Sequence, residues 1–361
     1  MHLPEELLDE IFSHLSPLDS RVLQNCSLVS KSWLQPSQRL LFAIIIIGPA
    51  TYRSWLDNIS PTNTGLLRHV RLLACRFGGG GTADSRWGVH TLQDYLPSFF
   101  QLQQLIFERM SIETAICEHL QWFSAFQHAL SSLSLVRVSI TWSAFVALVG
   151  YFPNLRDLVI FETSFQVDDQ PIPPLPHALR GKLSVSFGRA MEFPIDRFVG
   201  LKLEYEELEM YGAYEACLVA AVEQSLKHLT IGPSSFESTS SLSRCPELRQ
   251  LWTSRAFPQE GERILISSIT STNLRKLVFP QFWPDFLKNT CWVPFDDMIC
   301  RLVDRLQASG YKHILELEFR ACFEVLGEEV HVEDFLPKFQ EKGLVRIVDF
   351  LSGRFLEWPR K

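Results

Sequence analysis

The chain has 361 residues, 46% of them hydrophobic, which is enough apolar material for a sizeable core and argues against global disorder. A formal charge of −7 and a pI near 5.8 exclude a generic nucleic-acid binder, which needs a basic stripe to displace counterions from phosphate. Eight cysteines, at 26, 75, 117, 217, 245, 291, 300 and 322, have neither C-x-x-C spacing nor the density of a small disulfide framework, so a reduced cytoplasmic or nuclear setting is expected.

Residues 1–15 carry four acidic groups and no basic ones, so no secretory signal is expected there. Pro4 suits the first turn of a helix, and Leu7, Leu8, Ile11, Phe12 and Leu15 then recur along one helical face. Ser16-Pro17 breaks that helix, and Asp19 or Ser20 can cap the next. Val22, Leu23, Cys26, Val29 and Trp33 form a second apolar face, and Pro36 punctuates again. The apolar run from Leu40 stops at Gly48-Pro49, short of the ~20 residues a membrane span needs, and no membrane partner is expected. A unit of fewer than ~40 residues seldom holds its own core without a metal, a disulfide or a partner. These helices must dock, either as a cap on the rest of the chain or on a second protein.

The residues themselves speak to that choice. Leu3-Pro4, Glu6-Leu7-Leu8, Ile11-Phe12, Leu15, Asp19, Leu28-Val29, Lys31 and Trp33, closed by "RLLF" at 39–42, resemble the F-box. The resemblance covers about residues 3–45, and "CSLVSKSW" (26–33) is most similar to F-boxes of mushroom-forming fungi, with Ser30 where many members have cysteine. It implies a helical module that binds the Skp-family adaptor of cullin–RING ubiquitin ligases. By the same resemblance Leu3, Pro4, Leu7, Leu8, Ile11, Leu15, Leu23, Val29 and Trp33 share the adaptor contact and the module's own small core. The domain reading is an F-box at 1–45, a linker or first connecting helix at 46–66, and a repeat region at 67–361.

That repeat region carries an apolar-x-x-apolar-x-apolar pattern. It begins at Leu67, Leu102, Leu130, Leu155, Leu226, Leu248, Leu274 and Ile314, with weaker copies at Arg180 and Tyr205. The fourth position (Val70, Leu105, Leu133, Leu158, Leu183, Leu208, Leu229, Leu251, Leu277, Leu317) is always apolar, and the third is always polar. Such alternation predicts short strands with one buried face. Helical patterns at 114–130, 142–152, 214–226 and 296–308 predict return helices between them. The pattern resembles the leucine-rich repeat, with Leu67, Val70, Leu72, Cys75 and Phe77 filling its frame in the first unit. The fold class expected is α/β: a small helical F-box followed by a solenoid of parallel strands. An ordinary α/β sheet with periodic strands is the alternative.

Chemistry-bearing motifs are sparse. Gly78–Gly81 lacks the Lys-Ser/Thr of a phosphate loop, Cys117 and His119 have no evident partner pair, and Glu324, Glu328, Glu329, Glu333 and Asp334 read as a solvated acidic face. No catalytic residue, metal site or cofactor is expected. If the repeat frame holds, the outward strand positions present His228, Gln250, Trp252 and Lys276, with Lys227, Arg249, Arg255 and Arg275 adjacent, a candidate surface for an acidic or phosphorylated target. The functional expectation is a non-enzymatic substrate-recognition subunit of an SCF-type ligase, with a target protein that the sequence does not name. A non-ligase F-box protein or a repeat scaffold is the other reading.

Overall fold

The computed structural model describes residues 4–17, 19–48, 61–76, 96–112, 119–168, 174–186, 193–211, 216–232, 242–253, 260–282, 292–311, 313, 315–321, 338, 346–349 and 355–356. The chain divides into two compact units, Met1–His177 with Ala190–Pro194, and Ala178–Arg189 with Ile195–Lys361.

The first unit opens with three helices, α1 (Glu5–Ser13), α2 (Ser20–Val29) and α3 (Lys31–Leu41). Pro4 stands at the start of α1, where its missing N–H costs nothing, and its carbonyl accepts from Leu8 N at 3.2 Å. Asp19 occupies the position before α2, but its carboxylate turns back to accept from Ser16 N at 3.0 Å and closes the turn instead of capping the helix. Pro36 does not end its helix as expected: α3 runs through it. An interior proline costs about 3 kcal/mol. The helix persists because it is packed against both α2 and a 3-10 helix at Pro61–His69.

Five parallel strands follow, β1 (Ile44–Ile47), β2 (Leu72–Arg76), β3 (Gln104–Glu108), β5 (Ser132–Val136) and β7 (Asp157–Phe161), adjacent in that order. A second, three-stranded parallel sheet holds β4 (Ser111–Ile112), β6 (Ser139–Thr141) and β8 (Ser164–Gln166). The register aligns Ile45, Leu73, Leu105, Leu133 and Leu158 in one column, all buried. Two corrections follow. The sheet starts at Ile44, inside the segment assigned to the F-box end and the linker. The first expected unit is also displaced by three residues, because Leu73, not Val70, sits beside Leu105. Cys75 therefore occupies the sixth, core-facing position, where burial pushes its thiol up to about 12.

A turn repeats after each of three strands. Arg109, Arg137 and Glu162 all have φ near +50° (55, 54 and 46°), at the eighth position of their units. A non-glycine residue there costs roughly 1 kcal/mol or more. Backbone bonds to the next unit offset it: Arg109 N donates to Val136 O at 2.9 Å and Arg137 N to Phe161 O at 2.7 Å. The turn drops Met110, Val138 and Thr163 into the interior at the ninth position and leads Ile112, Ile140 and Phe165 to the eleventh, all buried. Thr163 Oγ1 donates to Leu135 O at 2.9 Å, a backbone contact that methionine and valine at the same place do not make. The helix Trp142–Tyr151 lies where the 142–152 pattern predicts one, while the 114–130 pattern yields only a 3-10 helix at Leu120–Phe126 among its described residues. The proline-rich excursion at 166–176 is tied back at both described ends: Asp168 accepts from Ser143 N and Oγ, and Leu175 lies so close to Gly150 that a Cβ there would sit 3.2 Å away.

The second unit carries β9 (Leu179–Ser186), β10 (Leu203–Tyr211), β11 (His228–Ile231), β12 (Gln250–Thr253), β13 (Lys276–Phe282), β14 (Glu316–Ala321) and β15 (Arg346–Asp349), all parallel, with β16 (Phe355–Leu356) antiparallel at the end. Its register column is Leu183, Leu208, Leu229, Leu251, Leu277, Leu317 and Ile347, which adds at Ile347 a strand the sequence pattern missed. The first six are buried, each contributing about 1.5–3 kcal/mol of transfer free energy. Helices Ile195–Val199, Ala216–Val222, Glu260–Ser267 and Trp292–Ala308 lie between strands. A bulge in β10 leaves Glu206 unpaired in the ladder beside Gly181, whose φ of 90° accommodates the mismatch. Mixed α/β, with helices first and parallel strands in solenoid-like succession, is the architecture observed.

Candidate partner-binding surfaces

The three N-terminal helices sort their apolar residues into two sets. Leu8, Phe12 and Leu23 are buried, and the Phe12 and Trp33 rings meet edge to face at 5.6 Å between centroids. Leu15 and Trp33 are half-buried. The other set points outward. Leu7 and Ile11, one turn apart on α1, are 45% and 39% exposed, and Pro4 lies at the head of the same stripe. Val22 and Val29 are exposed two turns apart on α2, and Leu28 near the end of α2 and Leu34 on α3 are exposed as well. Leu3 lies outside the described residues. Of eleven exposed large apolar side chains among the described residues, six fall between positions 7 and 34. Soluble surfaces rarely concentrate apolar groups so heavily unless something covers them.

The same stretch matches a known domain model. Residues 1–35 match the F-box domain. No curated protein matches the chain. F-box domains bind Skp-family adaptors in general, and an F-box points to an SCF-type substrate adaptor role in broad terms. Of the nine F-box residues expected to be shared between core and contact, Leu8 and Leu23 go to the core. Pro4, Leu7, Ile11 and Val29 are left to the surface, and Leu15 and Trp33 stand at the boundary. Val22, Leu28 and Leu34 are exposed beyond the nine residues that the resemblance implies. Leu28 offered one signal: it sits off the apolar stripe of α2, a leucine on an otherwise polar face.

The F-box is joined to the sheet without a spacer. Phe42 N donates to Gln38 O at 3.0 Å as α3 ends, and Ala43 N to Leu40 O at 3.1 Å. Ala43 O then accepts from Arg71 N and Leu72 N, at 2.8 and 2.9 Å, as β1 begins.

The second expected surface, the basic patch of the second unit, is built differently from its sequence reading. His228, Gln250 and Lys276 do lie in one register row, continued by Lys182 and Glu207 on one side and Glu316 on the other. Yet the cations there are matched. His228 Nδ1 is 3.2 Å from Glu207, Lys182 Nζ is 2.7 Å from Glu209, and Lys276 lies against both Glu316 and the buried Glu318. Lys227, Arg249 and Arg275 form a separate column at the strand entries, linked through their own backbones, with Lys227 Nζ 2.8 Å from Glu206. That ion pair and its hydrogen bond hold the Glu206 carboxyl below its ordinary range. Trp252 is half-buried, not exposed, and Arg255 lies outside the described residues. The register row is thus a lattice of alternating charges, while Arg249 and Arg275 stand exposed at the strand entries. Replacing Lys276 with methionine leaves the Glu318 carboxylate, 6% exposed, without its ammonium, and is expected to cost about 2 kcal/mol in urea unfolding at neutral pH.

Among the described residues no group of three or more His, Cys, Asp or Glu side chains is placed to hold a metal. His119 stacks on Trp122 at 4.3 Å, while Cys117, Gly78–Gly81 and the acidic run at 324–334 lie outside the described residues. Burial pushes the Cys245 thiol up to about 11, so like Cys75 it stays protonated. No helix among the described residues is long and apolar enough to cross a membrane.

Proposed function

We propose that the chain is the substrate-recognition subunit of an SCF-type cullin–RING ubiquitin ligase. The F-box seats on a Skp-family adaptor through the outward stripe of α1 and the exposed residues of α2, and the strand region holds the protein to be modified. Ubiquitin transfer belongs to other subunits, and this chain contributes proximity. The observation that carries the reading is that Leu7 and Ile11 stay open to solvent on a module too small to stand alone. We read residues 67–361 as an irregular leucine-rich-repeat array. The spacing of 28 and 25 residues between the units at Leu102, Leu130 and Leu155, and the left-handed residue each carries at its eighth position, favour this reading.

The test is affinity purification of the full chain followed by identification of its partners. Adaptor and cullin together are expected. Adaptor without cullin moves the chain to a non-ligase F-box role, and the absence of both leaves the helices as a cap on the array.

A further inference from the structure

The F-box and the strand starts enclose a cleft of about 380 Å³, walled by Phe12, Pro17, Arg39, Leu40, Arg71 and Gln104. None of its twelve lining residues is acidic, although the chain carries a net charge of −7. Arg39 and Arg71 are both exposed, and neither side chain has a hydrogen bond or ion pair with another described residue. A further cation lies close by: Arg68 Nε donates to His69 Nε2 at 3.3 Å, at the end of the 3-10 helix that packs against α3. The His69 imidazole is held below its ordinary value by burial and then by the fields of Arg68 and Arg39, an independent sign of positive potential here.

The cleft is too small to sustain a stable complex by itself, since a standard interface buries roughly 800 Å² on each partner. Its occupant must hold elsewhere as well. Phe12 and Ser13, which form one wall, follow directly on Ile11 in α1, whose outward stripe is the nearest place to hold it. We propose that an acidic segment of the Skp-family adaptor enters this cleft, its carboxylates meeting Arg39 and Arg71 and its backbone meeting the side-chain amides of Gln103 and Gln104. The proposal rests on the adaptor reading and adds a charged second half to an otherwise apolar contact. Guanidinium groups suit it, because their fork donates two parallel hydrogen bonds to a carboxylate.

The test is calorimetric titration of the full chain with the adaptor, at about 50 mM and about 300 mM NaCl, where screening of exposed charges differs most usefully. Arg39→Glu with Arg71→Glu is expected to weaken binding by about ten-fold at low salt and to flatten its salt dependence. Arg39→Lys with Arg71→Lys should keep the salt dependence while losing part of the affinity, because lysine keeps the charge and lacks the fork, and Arg156→Glu, an exposed charge outside the cleft, should leave binding unchanged. Wild-type affinity and salt slope in the doubly reversed variant would overturn the cleft proposal while leaving the adaptor reading intact. Failure of the wild-type chain to bind the adaptor at all overturns both.

Discussion

Leu7→Glu combined with Ile11→Glu should abolish capture of the Skp-family adaptor, with an affinity loss of more than about 100-fold, about 3 kcal/mol or more. Both side chains are substantially open in the free chain, so their replacement removes little of its own core. Glutamate is also a good helix former, and at position 7 it favours the positive end of α1. The cost therefore falls on the complex, where two carboxylates would have to be desolvated against apolar surface without partners. The control is Leu8→Glu, one position away. Leu8 is 3% exposed and packs within the helical module, so this variant should lose capture together with thermal stability. Pull-down against adaptor, read beside the unfolding midpoint of each variant, separates a broken contact from a broken fold. Retention of wild-type capture by the Leu7/Ile11 variant would remove α1 from the interface.

Leu73→Ala should destabilise the first unit by about 3 kcal/mol, whereas Leu72→Ala should cost less than about 1 kcal/mol. The two leucines are adjacent and chemically identical, and only register distinguishes them. Leu73 is fully buried between Ile45 and Leu105 in the parallel ladder, so truncation opens a cavity that its neighbours cannot collapse into without leaving the strand geometry. Leu72 lies on the opposite face beside Ile44 and Gln104 and is half-buried. Urea unfolding curves of the two variants decide the matter. Equal losses, or a larger loss at Leu72, would place β2 in the other register.

That pair also shows what the sequence could and could not say. Where apolar and polar residues alternate, as around Leu133 and Leu229, the buried column is readable, because the strand period of two leaves one register. The doublets Leu66-Leu67 and Leu72-Leu73 satisfy the frame in two ways, and only the ladder selects one. The run Ile44–Ile47 does not alternate at all, so its strand is hidden across the end of the F-box segment and the start of the linker. The F-box residues were legible as a set, but core and contact are both apolar, and composition does not divide Leu8 from Leu7. The pairing within the charged surface is hidden for another reason. The carboxylates that meet Lys227, His228 and Lys276, namely Glu206, Glu207, Glu316 and Glu318, arrive from strands 21 to 42 residues away.

The junction at Phe42–Ala43 has a mechanical meaning. The last turn of α3 and the opening of β1 share consecutive backbone bonds, so no swivel separates the N-terminal helices from the strands that follow them. Cargo gripped by β1–β7 would ride on a stiff arm whose length and heading are set during folding. Which of its lysines come within reach of the ubiquitin donor would then be a property of this joint as much as of the grip.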